Sequence, residues 1–207
     1  MHAGAVMGEI TSLRGLSMNA FLVSAGVVAL AEIGDKTQIL ALLLAARFKR
    51  PVPILLGIAV AALLNHGIAA FAGTWIGAFL TAERIDWLIG ISFLGVAAWA
   101  LLPERSEREE APRGARYGVL ASTALSMFFA EMGDRTQIAT VALAAQFGSF
   151  LPVVLGTALG MVFANLPAVL LGHIVAERLP LRLIRGAAAA VFAALGAWVI
   201  YGAFVRG

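Results

Sequence analysis

The stretch Ala31-Glu32-Ile33-Gly34-Asp35-Lys36-Thr37-Gln38-Ile39 returns almost unchanged 99 residues later, as Ala130-Glu131-Met132-Gly133-Asp134-Arg135-Thr136-Gln137-Ile138. Both copies lie in the middle of strongly apolar sequence. Inserting a carboxylate into hydrocarbon costs roughly 2.5–3.5 kcal/mol, so two acids in each copy indicate a functional use. The repeated stretch therefore predicts a polar ion site inside a membrane, with one half supplied by each copy.

The composition is that of a membrane protein. Of the 207 residues, 61% are hydrophobic and only 13% are charged, whereas soluble domains carry about 25% charged residues. The basic residues form short clusters between apolar segments, which indicates membrane topology and not a nucleic-acid surface. There is no cysteine, which excludes thiolate metal ligands and iron–sulfur clusters. We expect no cofactor.

Six apolar segments predict an all-α polytopic membrane protein with six transmembrane helices. Most segments reach the roughly 20 residues that span a bilayer, and the alternating pattern of membrane strands is absent. They run from about Ser17 to Ala46, Val52 to Leu80, Trp87 to Leu102, Tyr117 to Phe147, Leu151 to Ala176 and Leu183 to Phe204.

The 99-residue offset extends through nearly the whole chain. Matched pairs outside the motif include Pro53 with Pro152, Gly57 with Gly156, Phe93 with Phe192, and Trp99 with Trp198. Two repeats of three helices must have opposite orientations, because an odd number of spans turns the next unit over; such inverted repeats are common in transporters. The predicted organisation is an N-terminal segment (1–16), a first repeat (17–102), a charged cytoplasmic linker (103–116) and a second repeat (117–207).

The basic residues predict the orientation. Those after the first, third and fifth helices outnumber those on the opposite side, which places these connections in the cytoplasm and both termini outside. The first group is Arg47, Lys49, Arg50, Arg105, Arg108, Arg113, Arg116, Arg178, Arg182 and Arg185; the second is Arg14, Arg84 and Arg206. The composition favours a bacterial inner membrane.

The motif acids predict a metal site. On a continuous helix, Glu32 and Asp35 would face the same way one turn apart, as would Glu131 and Asp134. Packed face to face, the repeats would bring four carboxylates together near the bilayer centre. Oxygen ligands without Cys or His suit Ca²⁺, Mn²⁺ or Mg²⁺. The predicted metal ligands are Glu32, Asp35, Gln38, Glu131, Asp134 and Gln137.

The same acids predict a transport mechanism. Gly34 and Gly133 permit close helix approach or local unwinding, which would free backbone carbonyls as further ligands. Crowded carboxylates in a low-dielectric site repel one another, so that protons and a divalent cation compete for the same oxygens. Competition at a site with alternating access predicts an antiporter.

Other polar residues allow two interpretations. Glu32–Lys36 and Glu131–Arg135 have the spacing of ordinary intrahelical ion pairs, or the bases could offset negative charge or gate access. Interhelical hydrogen bonds are the plainest role for polar residues of the second and fifth helices, although His66 could relay protons. The predicted supporting or gating residues are Lys36, Thr37, Arg135, Thr136, Asn65, His66 and Asn165.

The doubled Glu-x-Gly-Asp-(Lys/Arg)-Thr signature resembles that of the Gdt family, also called uncharacterised protein family sixteen, in the lysine-exporter superfamily. The resemblance implies exchange of Mn²⁺ or Ca²⁺ for protons, with Mn²⁺ export in bacterial members. By position, the family's motif acids fall on Glu32, Asp35, Glu131 and Asp134. Lys36, Thr37, Arg135 and Thr136 complete the two signatures.

Two other functions remain open from the sequence. An exporter of a cationic amino acid could also use four acids. An intramembrane aspartyl protease also brings two aspartates together, but its Gly-x-Gly-Asp signature is replaced here by Glu-x-Gly-Asp in both copies. We therefore expect a transporter and not an enzyme, with a divalent cation, protons and the lipid bilayer as partners and no nucleic acid. A homo-oligomer is compatible with the sequence.

Overall fold

The computed structural model describes residues 2–102, 118–171 and 181–206, with side chains from residue 17 onward except at 181, 182 and 184. These parts of the chain form eight α-helices and no strand. The helices are α1 (His2–Glu32), α2 (Lys36–Phe48), α3 (Pro51–Gly77), α4 (Ala82–Leu101), α5 (Gly118–Ala130), α6 (Arg135–Phe147), α7 (Phe150–Leu171) and α8 (Leu181–Arg206).

Local sequence signals fix several helix ends. Pro51 starts α3, where its missing N–H costs nothing. Thr81 caps α4 by accepting the backbone N–H of Arg84. The helices α2 and α6 both end in a left-handed residue, Lys49 at φ 52° and Gly148 at φ 56°, a common way to stop a helix. Lys49 and Gly148 are 99 residues apart, so the two repeats end this helix in the same way.

Helix packing follows the duplication. The helices α1 and α2 of the first repeat pack on α7 of the second, and α5 and α6 of the second repeat pack on α3 of the first. The pairs α3–α7 and α4–α8 each join equivalent helices. Exchanging the two repeats therefore converts each of these contacts into another member of the same set, as an approximate two-fold relationship requires.

Glycines allow the closest approaches between the repeats. A Cβ added at Gly57 on α3 would lie 2.7 Å from the carbonyl oxygen of Leu120 on α5. At the equivalent Gly156 on α7, an added Cβ would overlap the backbone of Phe21 on α1. Small residues at such crossings let membrane helices pack backbone to backbone, so these glycines set the distance between the repeats.

The apolar core lies between the repeats. Phe93 of α4 and Phe192 of α8, equivalent residues of the two repeats, meet edge to face with ring centroids 5.6 Å apart. A second buried cluster joins residues of α2, α3 and α7, including Leu44, Ile54 and Met161. Both clusters combine residues from the two halves, so neither half has a separate core among the described residues.

The membrane spans differ from the prediction of six continuous helices. Four helical stretches are long and apolar enough to cross a membrane: α3, α4, α7 and residues Arg185–Arg206 of α8. Ser17–Glu32 of α1 and α2 together form a fifth candidate, bent by 78° at a break. The predicted fourth span is divided into α5 and α6, each of 13 residues and so about 20 Å long. The expectation of unbroken spans is wrong at these two places.

Parts of the predicted organisation lie outside the described residues. These are the linker 103–116 and, within the basic clusters, Arg105, Arg108, Arg113, Arg116 and Arg178. At the other end, α1 runs without a break from His2 to Glu32. No helix boundary therefore separates the predicted N-terminal segment, 1–16, from the first span.

Candidate cation site

The first motif forms a tight turn that interrupts a helix. α1 ends at Glu32 and α2 begins at Lys36. The backbone N–H of Asp35 donates to the carbonyl of Glu32 at 3.1 Å, and Gly34 has a φ of 80°. A positive φ at the third residue is the signature of a type II turn and favours glycine. The four residues Glu-x-Gly-Asp are thus the turn itself.

The second motif has the same backbone. Gly133 has a φ of 78°, and the N–H of Asp134 donates to the carbonyl of Glu131 at 3.1 Å. The prediction that each motif is a continuous helix is therefore wrong. Of the two roles that the motif glycines permit, close helix approach or local unwinding, the structure shows unwinding. The acids do not share one helical face: each glutamate lies at or just beyond the end of one helix, and each aspartate is the N-cap of the next.

The motif glutamines stabilise these breaks. Gln38 accepts the backbone N–H of Gly34 at 2.9 Å through Oε1 and donates to the carbonyl of Ala164 at 2.7 Å. Gln137 accepts the N–H of Gly133 at 3.1 Å. A backbone N–H inside a bilayer needs a protein partner, and a polar side chain three residues after the N-cap is well placed to supply one. The amide oxygens predicted to be metal ligands are thus engaged with the backbone.

Three of the four predicted acids form one buried group. Carboxylate oxygens of Glu32, Asp35 and Asp134 all lie within 4.8 Å of one another. This distance is about twice a Ca²⁺–oxygen bond of roughly 2.4 Å, so one ion could contact all three residues. Glu32 Oε1 and Asp134 Oδ2 are buried and have no hydrogen-bond partner among the described residues. The group therefore offers unused acceptors from both motifs.

Glu131 is held differently from the other three acids. Its side chain is buried, and its Oε2 accepts a hydrogen bond of 3.3 Å from Nδ2 of Asn65 on α3. Asn65 also donates to the carbonyl of Phe128 at 3.1 Å. Asn65 therefore ties the end of α5 to α3 and positions the fourth carboxylate.

Thr37 supports the acidic group from within the first motif. Its hydroxyl lies 2.7 Å from Oε2 of Glu32 and 3.3 Å from Oδ2 of Asp35. It can therefore orient the Glu32 carboxylate while Oε1 of that residue remains without a partner. The equivalent Thr136 is also buried.

Arg135 crosses from one motif to the other. Its Nη2 lies 2.6 Å from Oδ1 of Asp35, and both side chains are buried. Intrahelical pairs of Glu32 with Lys36 and of Glu131 with Arg135 would require a continuous helix through each motif, which the turns remove. The cross-motif pair shows that the two motifs form one electrostatic unit.

The remaining predicted polar residues lie on α3 and α7. Nδ1 of His66 is 2.9 Å from the hydroxyl of Thr140, which itself donates to the carbonyl of Thr136 at 2.7 Å. This network assigns the proton to Nδ1 of His66. Asn165 donates to the carbonyl of Met161 in its own helix. His66 is not part of the three-acid group.

Arg185 is a residue that the sequence did not identify as part of the site. It was predicted to signal topology, but its Nε donates to the carbonyl of Gly34 at 2.8 Å, which joins α8 to the first turn. The equivalent residue of the first repeat is Asp86, which pairs with Arg206 at 3.0 Å. The opposite charges at these two matched positions could have indicated that Arg185 has a role beyond membrane topology.

The two turns also differ in exposure. Gly34 is buried, whereas Gly133 is exposed and the neighbouring Met132 has 63% of its surface accessible. The duplicated site is therefore asymmetric in this structure.

Comparison with known proteins supports the duplication and identifies the family. The family model described as "Divalent cation/proton antiporter GDT1" matches twice, over residues 20–108 and 119–206. A Vibrio cholerae protein named "Putative manganese exporter" is 43% identical over 176 residues, which cover 84% of this chain and 87% of that protein. A GDT1-like protein of Synechocystis is 31% identical over 206 residues, covering 87% of this chain and 98% of that protein.

No solved structure shows a significant match to the chain. The family match and the relatives confirm the resemblance drawn from the two signatures, as well as the expectation of a transporter and not an enzyme. With its apolar helices, the protein is a multi-pass membrane protein. The chain belongs to the GDT1 family of divalent cation/proton antiporters.

Proposed function

We propose that the protein exchanges Mn²⁺ for protons across the membrane, with Ca²⁺ as the second candidate ion, through a site formed by the two Glu-x-Gly-Asp turns. One observation carries this proposal. Carboxylates of Glu32, Asp35 and Asp134 converge from both turns, and oxygens of Glu32 and Asp134 are buried without a partner among the described residues. Such oxygens are costly to bury unless a cation or proton occupies them.

The helix ends around the three carboxylates contribute both positive and negative potential to the proposed cation site. Asp35 and Asp134 stand at N-cap positions, so the positive ends of α2 and α6 lie beside these two residues. The carbonyl ends of α1 and α5 lie at the same turns and add negative potential. Broken helices that meet at an ion site are a recurrent design of transporters.

Exchange follows from competition for these oxygens. A bound dication satisfies several carboxylates at once, and protons neutralise the same groups when the cation leaves. If the two repeats are inverted, each turn can face one side of the membrane, and relative movement of the repeats alternates access to a midplane site. We propose that α5 and α6 together form the sixth span that this arrangement requires.

The preference for Mn²⁺ rests on two supports. The 43% identical Vibrio cholerae relative is named as a manganese exporter. The candidate ligands are carboxylate oxygens, which suit Mn²⁺ and Ca²⁺. The Vibrio relative also supports a bacterial inner membrane, and the basic connections support termini outside the cytoplasm. The oligomeric state stays a prediction.

Transport by purified protein in proteoliposomes tests the proposal. Mn²⁺ and Ca²⁺ are supplied separately under an imposed pH gradient, and we expect cation movement that reverses when the gradient is reversed. Asp35→Asn and Asp134→Asn should each lower the flux at least about tenfold, since each removes one charged ligand worth roughly 1.5–3 kcal/mol.

Asp86→Asn is the matched control. Asp86 lies on α4 and pairs with the exposed Arg206, so its replacement should leave the flux within about twofold of wild type. Full transport by both Asp35→Asn and Asp134→Asn would contradict the assignment of these two aspartates as ligands. Efflux of a cationic amino acid without any response to metal would contradict the proposed substrate.

A further inference from the structure

Arg135 occupies a position where a transported cation would also bind. Its guanidinium lies 2.6 Å from Oδ1 of Asp35, and the two side chains are 2% and 0% exposed. Asp35 belongs to the group of three acids, and Arg135 directly follows a second member, Asp134. The guanidinium of Arg135 and the proposed substrate cation therefore share the carboxylate of Asp35 as a partner.

The equivalent base of the first repeat is placed differently. Lys36 also follows a motif aspartate, but its side chain is only half-buried, whereas Arg135 is fully buried. A guanidinium holds a carboxylate in a fixed planar geometry, and an ammonium acts as a flexible point charge. Of these two motif bases, Arg135 is the one whose side chain is fully buried beside Asp35.

We propose that Arg135 is a tethered competitor of the transported ion, which occupies Asp35 when the site holds no metal and withdraws from it when a dication binds. This inference rests on the proposed function. It makes Arg135 a specificity-determining residue. A monovalent ion that displaces the guanidinium brings only the single charge that it replaces, whereas a dication adds one further charge to the acidic group. The competitor therefore favours divalent over monovalent ions.

Substitutions at position 135 should give a graded series. Arg135→Gln removes the competing charge and should tighten Mn²⁺ binding about tenfold or more at constant pH, because two cations no longer share one carboxylate. Arg135→Lys keeps a positive charge that holds Asp35 less firmly than the guanidinium does. This variant should therefore bind Mn²⁺ two- to fivefold more tightly than wild type. Mn²⁺ binding is measured on the purified protein from the loss of the electron paramagnetic resonance signal of free Mn²⁺.

Monovalent ions provide the second measurement. In Arg135→Gln, NaCl should weaken Mn²⁺ binding more than choline chloride of equal concentration, whereas in wild type the two salts should act alike. Arg84→Gln is the control, because it removes an exposed base of α4 that lies outside both motifs, and its Mn²⁺ affinity should stay within about twofold of wild type.

Each result decides the inference. Unchanged or weaker Mn²⁺ binding in Arg135→Gln overturns it, because a merely structural ion pair predicts a loss of affinity. If Arg135→Gln cannot be purified folded, Arg135→Lys decides in the same way. A wild-type protein that binds neither Mn²⁺ nor Ca²⁺ contradicts the proposed function instead, so the two failures can be told apart.

Discussion

Each position of the repeated motif has its own physical role. The glutamate supplies a buried carboxylate where a helix ends, and the glycine takes the positive φ of the turn. The aspartate stands at the N-cap position of the next helix, where in the second copy its side chain accepts the backbone N–H of Arg135. The threonine of the first copy orients its glutamate, and the glutamine accepts the N–H that the turn leaves free. In the first copy these residues are Glu32, Gly34, Asp35, Thr37 and Gln38.

The role of Thr37 is testable by an isosteric change. Thr37→Val removes the hydroxyl that lies 2.7 Å from Glu32 Oε2 and leaves the volume of the side chain nearly unchanged. Residues that orient metal ligands typically contribute tenfold or more to affinity, so we expect Mn²⁺ binding about tenfold weaker, measured by titration of the purified protein.

Thr74→Val is the control for this change. The hydroxyl of Thr74 donates to the carbonyl of Phe71 in its own helix, so the substitution removes a hydroxyl from α3 without touching the site. Equal Mn²⁺ affinities in Thr37→Val and wild type would contradict an orienting role for Thr37.

At the residue scale, the sequence predicts candidate side chains for the site but not the contacts that they make. Duplication and the cost of buried charge identified the four acids. The partners of Arg135 and Gln38 could not be predicted, because rules for residues three or four apart assume a continuous helix. Asp35 and Arg135 meet through tertiary packing, although they are 100 positions apart in the sequence.

At the scale of elements, the breaks depend on a small number of hydrogen bonds. Gln38→Leu would leave the buried N–H of Gly34 without its side-chain acceptor. An unsatisfied buried donor costs about 1–3 kcal/mol, so we expect the thermal unfolding midpoint in detergent to fall by roughly 2–10 °C.

Gln146→Leu is the matched control, because Gln146 lies on the exposed face at the end of α6 and surface changes usually stay within about 0.5 kcal/mol. An unfolding midpoint for Gln38→Leu equal to that of Gln146→Leu would show that the break does not need the glutamine.

Helix positions were largely predictable, and helix continuity was not. Apolar length located α3, α4 and α7 to within a few residues. Hydropathy did not reveal the interruptions because it averages over about 20 residues, whereas the turns between half-helices occupy three and four residues. Gly34 and Gly133 both have a positive φ. A glycine in an apolar run permits this backbone angle but does not require it.

At the scale of the whole molecule, the absence of native cysteine permits a direct test of inversion. Arg50→Cys and Ser149→Cys place one thiol at equivalent positions, 99 residues apart. In spheroplasts, a membrane-impermeant maleimide should label Ser149→Cys from outside and Arg50→Cys only after permeabilisation, because inverted repeats place equivalent residues on opposite sides.

Thr81→Cys serves as the control for orientation. Thr81 lies between α3 and α4, at the end of α3 opposite to Arg50, and should be labelled from outside like Ser149→Cys. Labelling of Arg50→Cys and Ser149→Cys from the same side would rule out inverted repeats. The 99-residue register predicts this architecture, whereas the inequality of the two turns could not be seen in a motif that is nearly identical in both copies.

The bond from Arg185 to Gly34 bears on how such a chain could have arisen. An ancestor built as a homodimer of half-length subunits would have carried the same residue at positions 86 and 185. Its two turns would then have been both tethered by arginine or both untethered. In the present chain position 86 is aspartate and position 185 is arginine, a difference that two identical halves could not carry. Two copies of either half alone would carry the same residue at both positions, so unequal treatment of the two turns requires two different halves.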